Sequence, residues 1–422
     1  MFETFKNAWK IPEVRTKILY TLLIILIYRI GCKIPVPGVD VGYIADQVTS
    51  NSTFLGLFNV MSGGAFESFA VFALGITPYI NASIILNLLT MVVPALERLS
   101  KEGEEGRKKI STYERYLTVV LALIMAVGFT LSMREALIDD GIFSIIFVVV
   151  TLTAGSSLLM WLGERATEKG IGNGTSVIIF VGIVSRVVPT AQSLLASVSA
   201  GSIPFWVIPL LVIGIVLMFA AIVFIDGGER KIQVNYAKRV VGRKMYGGQS
   251  TYIPMKVNAS GVLPIIFAVS VASLPQMIAG WVDPESGFAT FVAKWLSQTS
   301  VIYLVVYALL IVFFSYFYSQ VSFNPIEVSK NLKENGGFVT GIRPGKPTSD
   351  YLMKILSRIT LVGALYLAAI AILPIIIGII FPSISNMAIG GSSVMILVSV
   401  ALETTNQLES QILMRNYKGF LK

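Results

Sequence analysis

Ten long apolar runs separated by basic connectors leave this chain few folds to adopt. They centre on residues 18–35, 69–93, 116–133, 142–162, 175–192, 204–225, 259–279, 300–320, 356–380 and 391–411. A helix crosses the hydrocarbon core of a bilayer with about 20 apolar residues at roughly 1.5 Å rise each. Most of these runs reach that length. Of 422 residues, 55% are hydrophobic and only 14% charged, whereas a soluble domain is about 25% charged. The chain therefore reads as an all-α polytopic membrane protein with ten transmembrane helices.

The basic residues set the topology, because Lys and Arg of short loops accumulate on the cytoplasmic side. Lys6, Lys10, Arg15 and Lys17 open the chain, and Arg98, Lys101, Arg107, Lys108, Lys109 and Arg115 fill the loop 94–115. Arg165 and Lys169 lie in 163–174, and Arg230, Lys231, Lys238, Arg239, Arg243, Lys244 and Lys256 in 226–258. Lys330, Lys333, Arg343, Lys346, Lys354 and Arg358 occupy 321–358, and Arg415, Lys418 and Lys422 the tail. All of these segments share one side only if ten spans leave both termini cytoplasmic. The alternate connectors agree, with no Lys or Arg between Lys33 and Arg98 or between Arg358 and Arg415. A five-span unit used twice must insert upside down the second time. Two pseudo-symmetric inverted halves, 1–192 and 193–422, are thus a topological possibility rather than a sequence observation, since the halves share no strong sequence identity. The basic N-terminus before the first run has the look of a signal peptide. No small-residue cleavage site follows, only Lys33-Ile-Pro-Val-Pro-Gly38, so a retained first span is expected.

Several chemistries are excluded. The chain has no histidine, so histidine metal sites and Ser-His or Cys-His pairs cannot form. Its single cysteine, Cys32, cannot make an intrachain disulfide. Gly341-Ile-Arg-Pro-Gly-Lys346 has the wrong spacing for a phosphate loop, and Gly170-Ile-Gly-Asn-Gly174 is followed by Thr175 and is no dinucleotide turn. No cofactor, metal or catalytic residue is expected, and any work the chain does must draw its energy from a partner.

One stretch does not fit a simple span. Phe54 to Phe66 carries Phe54, Leu55, Leu57, Phe58, Val60 and Met61, then stops at Gly63 and Gly64. It is too short to cross, and reads as a half-helix that enters the protein and turns back. The following run holds Gly75 and Pro78, the seventh Pro264 and Pro275, the ninth Pro374. Broken helices point to a central path, or reflect the ordinary tolerance of membrane helices for Gly and Pro. An ion or solute path needs polar ligands at mid-membrane. The candidates are few: Arg29, Asn81, Asn87, Arg186, Gln276, Glu403 and Glu409. An inverted-repeat secondary transporter of a small solute is the rival reading, and it predicts buried charged or amide pairs that are scarce here. Arg29 is expected to snorkel or to meet helix-end carbonyls. Ile76 and Ile80, four apart, share one helical face, and either line a narrow apolar constriction or face lipid.

The loop motifs decide further. GGAFESFAVFALGITPYINASIILNLL, Lys101-Glu-Gly-Glu-Glu-Gly-Arg-Lys-Lys-Ile110, Tyr113-Glu-Arg-Tyr116, Trp161-Leu-Gly-Glu-Arg165 with Gly170-Ile-Gly-Asn-Gly174, Val234-Asn-Tyr-Ala-Lys-Arg239, Lys256-Val-Asn258 with Gly261-Val-Leu-Pro264, Phe323-Asn-Pro325 and Gly341-Ile-Arg-Pro-Gly345 follow in order along nearly the whole chain. Together they resemble the SecY family, the central channel subunits of the bacterial Sec translocon. The resemblance implies two five-helix halves closed like a clamshell around an hourglass pore in the bacterial plasma membrane. It implies a pore ring of Ile76, Ile80, Thr175, Ile179, Ile266 and Ile396, where Thr175 departs from the apolar pattern and is either tolerated in the ring or sits at its margin. It implies a plug at 54–68, containing Phe54, Leu57, Phe58, Met61, Gly63 and Gly64. The second and third spans against the seventh and eighth would form a lateral gate faced by Asn87, whose alternative is a plain helix–helix hydrogen bond.

The implied cargo is an unfolded preprotein with its signal sequence, and the implied partners are the small membrane subunits SecE and SecG, the SecA motor ATPase and the ribosome. The loop 226–258, with seven basic residues against Asp226 and Glu229, suits anionic lipid heads, ribosomal RNA or an acidic protein face, unless its charge only sets topology. Arg343 matches an arginine that serves the motor in the family; Lys238, Arg239 and Arg243 are further docking candidates.

Overall fold

The computed structural model describes residues 9, 11–50, 59–139, 141–201, 204–236, 239–241, 244–246, 250–258, 261–282, 286–297, 300–380 and 391–419. Its elements are α1 (Pro12–Gly31), α2 (Val41–Ser50), α3 (Thr77–Val92), α4 (Pro94–Lys101), α5 (Glu104–Ser132), α6 (Ile142–Lys169), α7 (Gly174–Ser199) and α8 (Val207–Asp226). Strands β1 (Glu229–Tyr236), β2 (Arg239–Val241), β3 (Lys244–Tyr246) and β4 (Ser250–Lys256) come next. The chain continues as α9 (Leu263–Ala279), α10 (Gly287–Trp295), α11 (Val301–Ser322), α12 (Pro325–Glu334), β5 (Gly337–Val339), α13 (Lys346–Ile380) and α14 (Gly391–Gly419).

A helix stands at each apolar run, but not every one is a full-length apolar span. Among the described residues six helical segments are long and apolar enough to cross a membrane: α5, α6, α7, α8, the α11–α12 run and α13. A seventh is counted if α3 and α4 form one span, bent by 100°. The bend has a local cause. Val93 is extended (φ −96°, ψ 110°) because it precedes Pro94, which opens α4. Against the ten expected spans, α1 carries Arg15, Lys17 and Arg29, and α9 has only 17 residues. The second run falls short for a different reason. The sequence suggests a continuous span from residue 69, yet residues 62–76 form a chain of turns and the helix begins at Thr77.

Outward side chains match a lipid surroundings. Leu210, Val212, Ile213, Val216, Leu217 and Phe224 of α8 are all exposed. Inside, one large apolar cluster draws on α1, the residue 60–76 segment, α3, α6, α7, α9, α11, α13 and α14.

The two largest basic loops, 226–258 and 321–358, form one small structure in addition to the helices. β1 pairs antiparallel with β4, from Glu229 opposite Lys256 to Asn235 opposite Ser250, and with β5 through Val234 opposite Val339. Ile232, Val234, Met255, Leu332, Val339, Leu352 and Leu356 close beneath as a separate core. Asn324 caps α12 by accepting from the backbone N–H groups of Ile326 and Glu327, which explains the Phe323-Asn-Pro325 motif. At the root of the β1–β4 hairpin, Asp226 accepts from Asn258 Nδ2 (2.8 Å) and Ser399 Oγ (2.7 Å). A carboxylate at a helix C-terminus opposes the helix dipole. These donors offset that cost and tie the hairpin to α14.

Close packing of the turn segment against α6 depends on Gly155. A Cβ there would lie 1.9 Å from the Val71 carbonyl oxygen. Gly155→Val is expected to destabilise the protein by roughly 1–3 kcal/mol through overpacking, read as a lower Tm in detergent; an unchanged Tm would contradict the packing described.

Candidate functional site

One helix orders the site. Asn173 caps α7 by accepting from Thr175 N (3.1 Å) and Ser176 N (3.4 Å), so the Gly170-Ile-Gly-Asn-Gly174 motif is a helix start. From there α7 presents Thr175, Ile179, Gly182, Ser185 and Arg186 along about 16 Å of its length, at roughly 1.5 Å per residue.

Thr175 lies on the wall of a cavity of about 310 Å³ that it shares with Tyr79, Arg115, Glu164, Asn173 and Phe267. This cavity lies at the basic-loop ends of the helices, and an Arg115–Glu164 ion pair (2.8 Å) crosses its polar side. Ile80, Ile179 and Ile266 also line it. These three belong with Ile76 and Ile396 to one continuous buried cluster, their exposures between 1% and 5%. The structure thus brings five of the six ring candidates together. Thr175 is only partly buried and lies on the cavity wall with Tyr79.

Beyond Ile179 comes the turn segment. Residues 59–61 are helical and the chain then turns through Gly63 (φ 68°) and Gly64 (φ 86°). Val60 belongs to the same cluster as the ring, and Met61 packs against it. Phe54, Leu57 and Phe58 lie outside the described residues. A Cβ on Gly63 would sit 2.9 Å from Gly182 Cα and 2.7 Å from the Tyr28 hydroxyl, so two glycines permit the turn to seat on α7.

Donors from the surrounding helices hold the turn. Tyr28 Oη donates to Ser62 O (3.0 Å), Arg29 Nη1 to Gly63 O (3.1 Å) and Ser185 Oγ to Gly63 O (3.3 Å). Arg29 therefore meets a carbonyl of the turn rather than that of a regular helix end. Arg186 Nη1 pairs with Glu67 Oε2 at 2.8 Å, and Asn59 Nδ2 donates to the same oxygen at 2.9 Å. No local sequence pattern joins Glu67 to Arg186, which lie 119 residues apart. A signal existed: Glu67 is the only acid in residues 47–96, and Arg186 stands in an apolar run that needs a counter-charge.

A seam runs between α3, α9 and α11. Asn87 Nδ2 reaches the Tyr318 hydroxyl at 3.5 Å and Ser83 Oγ at 3.4 Å, joining α3 to α11. Phe267 tilts against Tyr318 with ring centroids 4.9 Å apart and meets Phe314 edge-on at 5.9 Å. On the loops, Arg343 is exposed and its carbonyl accepts from Thr348 Oγ1 at 2.8 Å. Arg239 opens β2, while Lys238 and Arg243 lie outside the described residues. Among the described residues no group of three or more His, Cys, Asp or Glu side chains is arranged to hold a metal.

Fold and site together define a multi-pass helical membrane protein with a partly polar cavity at the basic-loop ends of its helices and a buried cluster of aliphatic side chains beside it. A family model described as SecY matches residues 70–405. A protein translocase subunit SecY of Streptomyces scabiei is 45% identical over 440 residues, covering all of both chains. A counterpart from Corynebacterium glutamicum is 43% identical over 440 residues and 99% of each. The chain belongs to the SecY family. Solved structures agree in fold. One described as the structure of a protein conducting channel superimposes with a TM-score of 0.68 at 19% identity, covering 94% of this chain and 92% of that one. Sec61 in the canine ribosome-channel complex from the endoplasmic reticulum gives 0.63 at 18% identity, over 94% and 92%.

If the aliphatic collar closes the path, Ile80→Ser and Ile179→Ser together should raise resting ion conductance in planar bilayers well above wild type, with Leu217→Ser on the exposed face of α8 as the silent control. Equal conductance in all three would remove the collar from the path.

Proposed function

We propose that this chain is the protein-conducting channel of a bacterial preprotein translocase in the plasma membrane, with both termini cytoplasmic. The observation that carries this reading is the order along α7: polar cavity, buried isoleucine collar, then a glycine-turned segment seated behind it. A polypeptide in transit presents every kind of side chain, so its path must offer no fixed hydrogen-bonding preference. It must also resist ions. Branched aliphatic side chains meet both demands, because a narrow apolar ring resists wetting. The segment 54–68 acts as the plug that completes the seal when no substrate is present. A solute transporter would instead need polar ligands where Ile80, Ile179 and Ile266 stand.

Lateral release uses the seam of α3 against α9 and α11. A signal sequence is itself an apolar helix, so it can exchange the Asn87–Tyr318 and Phe267–Tyr318 contacts for contacts with itself and with lipid. It thereby biases a two-state clamshell formed by the halves 1–192 and 193–422 toward the open state. The interhelical hydrogen bond it breaks is worth about 0.6 kcal/mol on average, a small barrier that suits a gate.

The chain hydrolyses nothing, and force comes from outside. The platform made by the loops 226–258 and 321–358 is the docking surface, and Arg343, Lys238, Arg239 and Arg243 are the candidate contacts for the SecA motor or the ribosome. A ribosome is present in the canine Sec61 complex and in that of yeast Ssh1, described as bound to the 80S ribosome. SecE and SecG are the expected membrane partners, and anionic lipids are expected at the basic faces.

The decisive assay reconstitutes the chain with its small subunits in vesicles, adding motor, ATP and a signal-bearing unfolded preprotein. Protease-protected preprotein is expected inside the vesicles. A correctly folded channel and active motor that protect none would overturn the reading. In the same assay Arg343→Glu is expected to lower ATP-driven transport at least tenfold, a loss of about 1.4 kcal/mol of coupling, while resting conductance stays low.

A further inference from the structure

We propose that Glu67, Arg186 and Arg29 form an electrostatic latch that sets how readily the plug leaves, an inference that rests on the plug reading above. The three lie on different parts of the chain. Glu67 moves with the plug, Arg29 stands on α1 and Arg186 on α7. With the plug seated, Arg186 Nη1 is 2.8 Å from Glu67 Oε2 and Arg29 Nη1 is 3.1 Å from the Gly63 carbonyl oxygen. Asn59 clasps Glu67 from within the plug at both ends, its Nδ2 donating to Oε2 (2.9 Å) and its Oδ1 accepting from Glu67 N (3.0 Å). The carboxylate is thus aimed at α7 by its own segment. Arg186 also lies over the turn, its Nη1 3.3 Å from where a Gly64 Cβ would stand.

The fixed partners are both cations. When the plug leaves, Arg29 loses a carbonyl and Arg186 its carboxylate. Glu67 is the only acid in residues 47–96, so the departing segment offers these arginines no second counter-charge. Opening therefore separates opposite charges, and reseating brings them back together. Closure is favoured without tightening the collar, so the seal and its release can be tuned separately.

The side chains of Arg186 and Glu67 are 26% and 39% exposed, so the pair is partly screened. Loss of either charge is expected to raise the open fraction roughly two- to fivefold.

The test measures resting conductance of the reconstituted channel for Glu67→Gln, Arg186→Gln and the double variant, beside a deletion of residues 54–66. Each single variant should raise conductance, and the double should exceed the larger single by little, because both remove the same interaction. A second readout introduces Met61→Cys into a Cys32→Ser background. A membrane-impermeant maleimide applied from the plug side should label it faster when Glu67 or Arg186 is neutralised. Strictly additive effects, or wild-type conductance and labelling in the single variants while the deletion conducts, would overturn the latch and leave the plug standing. A deletion that fails to conduct would overturn both.

Discussion

Irregular backbone at membrane depth has to satisfy its own hydrogen bonds, because hydrocarbon supplies none. Many backbone groups of residues 62–76 are satisfied within the protein. Gly64 N reaches Asn59 O at 2.8 Å, Ala70 N reaches Ala65 O at 2.8 Å, and Phe66 N reaches Ser62 Oγ at 3.2 Å. The segment also pairs outward: Val36 N donates to Phe69 O, Val71 N to Ile34 O, and Ser156 Oγ to Gly75 O. A turn chain satisfied in this way can sit in the middle of a helical protein, and it is what places Ile76 at the head of α3, within the collar.

α7 converts that local fact into a functional order. Its first turn lines the polar cavity, its second carries Ile179, and Gly182 lets the turn at Gly63 approach to van der Waals contact. Ser185 and Arg186 then hold the far side. In the proposed channel the seal has two layers with different physics: a collar that resists wetting, and a plug held by directed hydrogen bonds and one ion pair.

Much of this architecture is legible in the chain itself. Apolar runs with basic connectors lead to a helical membrane protein, and the glycine pair at 63 and 64 marks where the short helix ends. The loop motifs lead to the SecY family and bring Ile76, Ile80, Ile179, Ile266 and Ile396 to attention. Length alone misleads at residues 69–76, which are apolar enough for a span but are bent into turns by Gly75, Pro78 and contacts from α1 and α6. Those contacts are tertiary, and no local pattern reports them. The sheet beneath the basic loops was hidden for the same reason. Glu229–Tyr236 alternates weakly, and its partner β5 lies about a hundred residues away. Glu67 and Arg186 are likewise 119 apart, and only the rule that a charge in an apolar run needs a partner could have joined them.

In the proposed channel a polypeptide in transit passes through the isoleucine collar. Photo-crosslinking residues placed singly at Ile80, Ile179, Ile266 and Ile396 should each capture a preprotein arrested midway, while the same probe at Ile213 on the exposed face of α8 should capture lipid and no preprotein. Capture at Ile213 with none at the four collar positions would contradict the account.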